Sequence, residues 1–392
     1  MKKFLFLGIL FSLLWLLLSC SDEPTSVGVN LIDDDVINVS SFDTKDTPVY
    51  QTSTYYKKVV PLGLSSKILI GKRNDIVAST LMKFLFFIDD SLKDDFLNDA
   101  ININEAFIEL TPQYTFTDEA ADMDFTVHKI NSDWSANTFT IDSLPALVYE
   151  TDDLSSNKNF TDSLYTFDLS PDLVLSWIKN SYDSTLESNK GIYYKPTQSS
   201  GKVVGFQALT TTSTDAAKIK IVIEKPGAFI DTVKGFIFLD VSVVDSDSLI
   251  LPQGEIGVQA SVTYQSKLFF DISSLSNDIV INNAELILTA DTLNFITGTS
   301  YSSYVQVFKI TDSTKAEIDK NSGITLIRQN DIYSGNITNI FSSWLTNNDV
   351  QGLIIRSENV SEGLELFTFR GSDYPDSALR PRIRVTFTER RK

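Results

Sequence analysis

Two residue types that dominate enzyme active sites occur once each in this chain, as His128 in "FTVHKI" and Cys20 in "LLSCSDEP". A single pair of this kind cannot assemble the usual zinc ligand sets or the Ser-His and Cys-His nucleophile pairs. Carboxylates are plentiful, with 51 Asp and Glu. Glycoside hydrolysis, however, needs two of them at a set separation, and no acid pair stands out. The expectation is a non-catalytic protein without a cofactor. Sugar recognition would need a different inventory, aromatic rings for the apolar face of a pyranose and planar polar groups for its hydroxyls or carboxylates. Trp134, in "NSDWSAN", follows a strand, where its ring could serve as a platform or plug the edge of the fold. Lys129 and Lys309 occupy matching places in the two halves of the chain, and Lys72 and Arg73 lie in the loop "GKRND". Arg73 could hold a uronate carboxylate bidentately, with the lysines acting as point charges or forming a solvated strand face. The acid runs Asp33 to Asp35 and Asp245 to Asp247 offer oxygen ligands for a structural calcium. They lack EF-hand spacing, and a solvated acidic loop is the expectation.

Charge narrows the partners. The formal net charge is −18 over 392 residues. Without Lys2 and Lys3 it becomes 51 acids against 31 bases, or −20. A polyanionic nucleic acid is repelled by such a chain. An acidic polysaccharide meets the same long-range repulsion, weakened at high salt. With 42% hydrophobic residues the chain can bury cores, and its length suggests two domains.

The N-terminus points to a membrane. Lys2 and Lys3 precede a 15-residue apolar run, Phe4 to Leu18, which ends at Ser19 directly before Cys20. That is a secretory signal layout, too short for a comfortable membrane span. The tetrapeptide Leu17 to Cys20 resembles the bacterial lipobox, which implies cleavage before Cys20 and acylation of that residue. Several acyl chains on one residue anchor stably in a lipid bilayer. Ser21 in place of aspartate removes the usual inner-membrane retention signal. Asp22 and Glu23 resemble the export signal of Bacteroidetes-type lipoproteins. The expected location is the outer membrane, facing outward.

The elements that must position these residues read as strands. In "KIKIVIEK", Ile219, Ile221 and Ile223 share one face and Lys218 and Lys220 the other. "RIRVTFTE" repeats the pattern with Ile383, Val385 and Phe387. Further pairs keep the same order: "INEAFIEL" with "INNAELIL", and "FTVHKI" with "VQVFKI". Two helical stripes, Leu173, Val174, Trp177, Ile178 and Ile340, Phe341, Trp344, Leu345, match in the same way. Ser170 and Pro171 read as N-cap and first helical residue of the first helix. His128 is matched by Phe308, which predicts packing rather than ligation. The expected organisation is a signal peptide at 1–19, a lipidated tether at 20–48, and tandem domains at 49–225 and 229–389 joined at "EKPGAF". Adjacent tyrosines at Tyr55 and Tyr56, and at Tyr193 and Tyr194, would turn one ring of each pair outward on regular strands.

The ordered segments "KILIGKRNDIVASTLMKF", "INEAFIEL", "FTVHKINSDWSANTFTIDSLP", "FDLSPDLVLSWIKN", "GIYYKP" and "KIKIVIEK" resemble the DNRLRE domain, also classed as carbohydrate-binding module family 96. A second copy shows in "KLFFDISSL", "INNAELIL", "VFKI", "IFSSWL", "GLIIRS" and "RPRIRVTF". The resemblance implies an all-β fold of two tandem β-jelly-rolls, antiparallel sandwiches each with one short helix. It also implies polysaccharide binding, in some members of acidic polymers. Phe84-Leu85 departs from the Phe-Asp that the family favours and the second copy keeps at Phe270-Asp271. The second copy also lacks a counterpart of Trp134. A structural or adhesive protein that holds a protein partner at the surface is the alternative function.

Overall fold

The computed structural model describes residues 39–389 apart from 64, 117–119, 210–214 and 348. Cys20, the segment before it, the tether up to residue 38 and the acids at 33–35 lie outside the described residues. No helix among the described residues is long and apolar enough to cross a membrane.

The protein is all-β, built as two antiparallel sandwiches. Short alternating segments separated by Asn, Asp, Ser and Gly favour this, since each strand can bury only one face before a turn is needed. The first strands are β1 (Val39–Asp43), β2 (Gln51–Lys57), β3 (Lys67–Arg73), β4 (Ile76–Phe86), β5 (Asn102–Leu110), β6 (Pro112–Phe116) and β7 (Phe125–Lys129). They are followed by β8 (Ser155–Phe160), β9 (Tyr165–Leu169), β10 (Ile192–Pro196), β11 (Val203–Gln207), β12 (Lys218–Lys225) and β13 (Phe229–Asp245). The second half supplies β14 (Glu255–Gln259), β15 (Tyr264–Phe270), β16 (Ile279–Thr289), β17 (Val305–Asp312), β18 (Glu317–Ile318) and β19 (Ile324–Gln329). It closes with β20 (Ile332–Asn336), β21 (Gly352–Ser357), β22 (Leu366–Arg370) and β23 (Arg382–Glu389). The helices are α1 (Lys93–Leu97), α2 (Pro171–Tyr182) and α3 (Thr338–Asn347). Thus α1 is an extra turn of helix in the first sandwich beside the one expected. Pro171 opens α2, but the Ser170 side chain makes no capping bond.

The first sheet runs β6-β11-β3-β4-β13-β12-β5-β9-β8, with β10 and β7 branching from β4. It wraps around a core that contains Ile219, Ile221, Ile223, Phe84 and Trp177. The second sheet runs β1-β23-β16-β20-β19-β17-β21-β15-β14-β22, with β2 on β15 and β18 on β17. Its core holds Phe42, Ile383, Val385, Phe341 and Trp344. Both helix stripes face these cores, as their spacing predicts.

The domain boundaries differ from those expected. β2 lies within the expected first domain yet pairs with β15 of the second sheet. β13 opens the expected second domain yet pairs with β12 and β4 of the first. The segment around "EKPGAF" is therefore the β12–β13 hairpin inside the first sandwich, and the crossover is residues 246–254. Part of the expected tether is also structured, because β1 pairs with β23. Two Arg382 nitrogens bind the Asp43 carboxylate, at 2.6 Å from Nε. Burial alone would raise the Asp43 pKa, but these bonds hold it below the usual range. The pairings show a reciprocal exchange. In the first sandwich, β13 spans β12 and β4; in the second, β1 and β2 pair with their counterparts β23 and β15. Each copy lends its leading strand to the other.

The exchange brings the sandwiches into contact over Leu62, Leu69, Tyr114, Phe116, Val262 and Leu364, all buried. Tyr114 is 2% exposed, and its hydroxyl accepts the Leu364 N–H at 3.0 Å. Gly298 lies flat on the Tyr114 ring, where a Cβ would sit 2.2 Å from a ring carbon. Only glycine permits that approach.

Candidate functional site

Trp134 lines a cleft of about 370 Å³ on the first sandwich, together with Asn137, Leu209, Phe238 and Asp240. Four parts of the chain build it, one of them the segment before β3 that carries Gly63 and Ser65. The loop after β7 carries Trp134 and Asn137, the end of β11 leads to Leu209, and β13 supplies Phe238 and Asp240. The indole N–H donates to the Lys190 carbonyl at 2.7 Å, which fixes the ring plane. The ring is half-buried and also packs on a small cluster containing Leu81, Tyr193 and Val241. The ring therefore closes the edge of the fold, as one of the two alternatives offered by the sequence has it, and also lines the cleft.

A bulge in β13 aims the opposite wall. Ile237 pairs with Phe84 and Leu239 with Lys83, leaving Phe238 as the extra residue. Bulges of this kind shift the alternation by one and redirect side chains. Before it, Ile237 packs into the main core; after it, Leu239, Val241 and Val243 pack beneath the Trp134 loop. Phe238 is left 48% exposed. Asp240 is only 6% exposed, and it receives a hydrogen bond from the Leu209 backbone N–H. Burial pushes its carboxyl up to about 7, with no cation counteracting the shift. A buried acid lining a cleft without a charge partner is the kind of group that functional sites retain at a cost in stability.

That cost predicts a pH dependence. Between the ordinary value of 3.8 and about 7, folded Asp240 binds a proton that the unfolded chain releases. Its contribution to stability is thus complete below pH 3.8 and lost as pH rises through 7. Asp240→Asn removes the penalty while keeping an acceptor for Leu209. The variant should be more stable than wild type at pH 8, by up to about 4 kcal/mol, and equal to it near pH 4. Urea melts of both proteins across pH 4 to 8 check this.

The expected cationic residues are not gathered at the cleft. Lys129 Nζ pairs with Glu187 at 2.6 Å and Glu150 at 3.2 Å, and the Glu187 bond raises its pKa most. Lys309 Nζ pairs with Asp349 at 3.0 Å and borders a separate hollow of about 190 Å³ that Asp319 also lines. Both are mostly buried ion-pair members, neither free cations nor a solvated strand face. Lys72 and Arg73 are not in a loop but end β3, paired with Val77 and Ile76 of β4; Lys72 binds Gln198 and Arg73 reaches the Gly201 carbonyl at 3.4 Å. Asp245 is held by Lys57 at 3.3 Å, and no group of three or more metal-binding side chains occurs among the described residues. His128 is buried, its ring nitrogens at 2.7 Å from Thr126 Oγ1 and 3.0 Å from the Asp152 carbonyl oxygen. Tyr193 and Tyr194 are both buried, against the expectation for adjacent strand residues. The reason is that β10 is covered twice, by the main core and by the Trp134 loop.

Sequence reasoning missed Phe238 and Asp240. The available signal was an acid inside the apolar run "GFIFLDVSVV", which an ordinary core strand avoids. A buried pair of carboxylates also escaped it: Arg370 bridges Glu255 and Asp291, the latter at 3.0 Å. Burial and the neighbouring Asp291 raise the Glu255 pKa. This cluster is closed inside the second sandwich, with both acids 6% exposed.

No family model matches the chain, and no curated protein matches it. Among solved structures, the infectious bursal disease virus VP2 subviral particle aligns over 91% of this chain and 78% of that one, at 12% identity and a TM-score of 0.12. A likeness of that size carries no argument about fold or function.

Proposed function

We propose that the protein is a non-catalytic, lipid-anchored cell-surface lipoprotein that captures or tethers polysaccharide through the Trp134 cleft. The observation that carries the proposal is one half-buried indole, locked by Lys190, facing a concave site with Phe238 and the buried Asp240. Such sites combine apolar walls with few convergent polar groups. The resemblance of the ordered segments to the DNRLRE domain, and of Leu17 to Cys20 to a lipobox, supports the same reading. Membrane attachment through Cys20 would connect to β1, and so to the second sandwich, leaving the cleft on the other.

A second reading has its own observation. Leu85 of β4, Phe87 just after it, and Phe236 and Phe238 of β13 are exposed apolar residues, with the Phe87 and Phe236 rings 6.1 Å apart. A surface-protein partner in an envelope assembly would bury such residues.

Sedimentation of the soluble body with insoluble polysaccharides tests the first reading. Trp134→Ala should weaken retention about tenfold or more, equivalent to roughly 1.4 kcal/mol, while the melting curve stays cooperative. Equal retention of wild type and variant would remove the cleft from the function.

A further inference from the structure

The glycan reading left open whether the ligand is neutral or acidic, and the cleft chemistry bears on that choice. We infer that the Trp134 cleft takes an electrically neutral sugar chain and excludes uronates; this deepens the glycan reading and rests on it. Among the described residues that line the cleft, Asp240 is the one charged side chain, and no lysine or arginine joins it. The nearby Lys190 is engaged with Asp133, and the four cations expected to meet a uronate stand elsewhere. Lys129 and Lys309 are already neutralised by acids. A uronate entering the cleft would set its carboxylate beside a buried carboxylate, where weak screening makes like charges repel strongly. The whole chain, at −18, adds to that repulsion at long range.

A neutral pyranose meets the same groups favourably. Its hydroxyls donate to the ionised Asp240 oxygens, and a hydrogen bond to a charged acceptor is stronger than one between neutral groups. The Asn137 amide can donate and accept. Trp134 and Phe238 offer apolar surfaces to the C–H face of the ring. Asp240 is held in place by the Leu209 N–H and by the strand that the bulge redirects, so it is organised before any ligand arrives.

The test is affinity electrophoresis at pH 8, where Asp240 is ionised, in gels containing galactomannan, laminarin or pullulan as neutral probes and alginate or polygalacturonate as acidic ones. Wild type should be retarded on at least one neutral gel and on neither acidic gel. Trp134→Ala should abolish that retardation, and Asp240→Asn should weaken it at least threefold although the variant is folded. Retardation on an acidic gel that Trp134→Ala abolishes would overturn the inference and leave the glycan reading standing. Acidic retardation that instead disappears in a Lys72→Ala/Arg73→Ala variant would also overturn it and move the site to the β3–β4 turn. Migration unaffected by all five polymers would sink the glycan reading itself, and the inference with it.

Discussion

A fragment covering residues 49–225 is expected not to fold, whereas one covering 58–249 should melt cooperatively. The shorter choice follows the repeat in the sequence but discards β13, which spans β12 and β4. Without it the first sheet opens along two edges and loses Ile237, Val241, Val243 and Val244, none more than 4% exposed. Burial of four such side chains contributes about 6 to 12 kcal/mol. A whole domain is typically stable by only about 5–15 kcal/mol. The longer fragment keeps every strand of the first sheet and gives up only the contact with the second sandwich. Conversely, removing residues 39–57 from the full chain should unfold the second sandwich, which then lacks β1 and β2, and spare the first. Circular dichroism melts of the three proteins decide the matter. A cooperative transition in 49–225 would refute the strand exchange as a requirement for folding.

Tyr114→Ala should destabilise the two-sandwich body by about 3–5 kcal/mol, the range for emptying a buried aromatic site. The ring fills the interface, lies on Gly298 and, through its hydroxyl, satisfies the Leu364 N–H. Glu365, buried beside it, has its pKa raised chiefly by that burial. Tyr114→Phe isolates the polar share: it leaves the Leu364 N–H unpaired at a cost of about 1–3 kcal/mol. Denaturant titrations give both values. The alanine variant should also split the unfolding into two transitions, because Tyr114 links one sandwich to the other. A single transition with unchanged midpoint in both variants would show that the interface adds nothing to cooperativity.

The strand class and the buried faces of the clearest strands and helices were legible in the sequence because they follow from local periodicity. Ile219, Ile221 and Ile223 alternate with lysines, and Trp177 and Trp344 sit on helical stripes; all five are buried. Trp134 was legible as an aromatic at a loop exit. Its partners were not, because a bulge at Phe238 changes which residues of β13 face outward, and no periodicity announces an inserted residue. The cations illustrate the converse. Lys129 and Lys309 stand at matching strand positions, yet their chemistry depends on Glu150, Glu187 and Asp349, which arrive from distant loops and neutralise them.

By itself, the amino-acid sequence determined that this is an all-β protein whose strands alternate apolar and polar faces and whose two longer helices carry apolar stripes. Those features need only neighbours a few residues apart; the sandwich arrangement was what the family resemblance implied. Tertiary structure alone decided that the leading strands change places, and that Asp240 and Phe238 meet Trp134. A strand exposes the same hydrogen-bonding edge whichever sheet it joins, so its partner is chosen by the packing of the whole and not by its own residues.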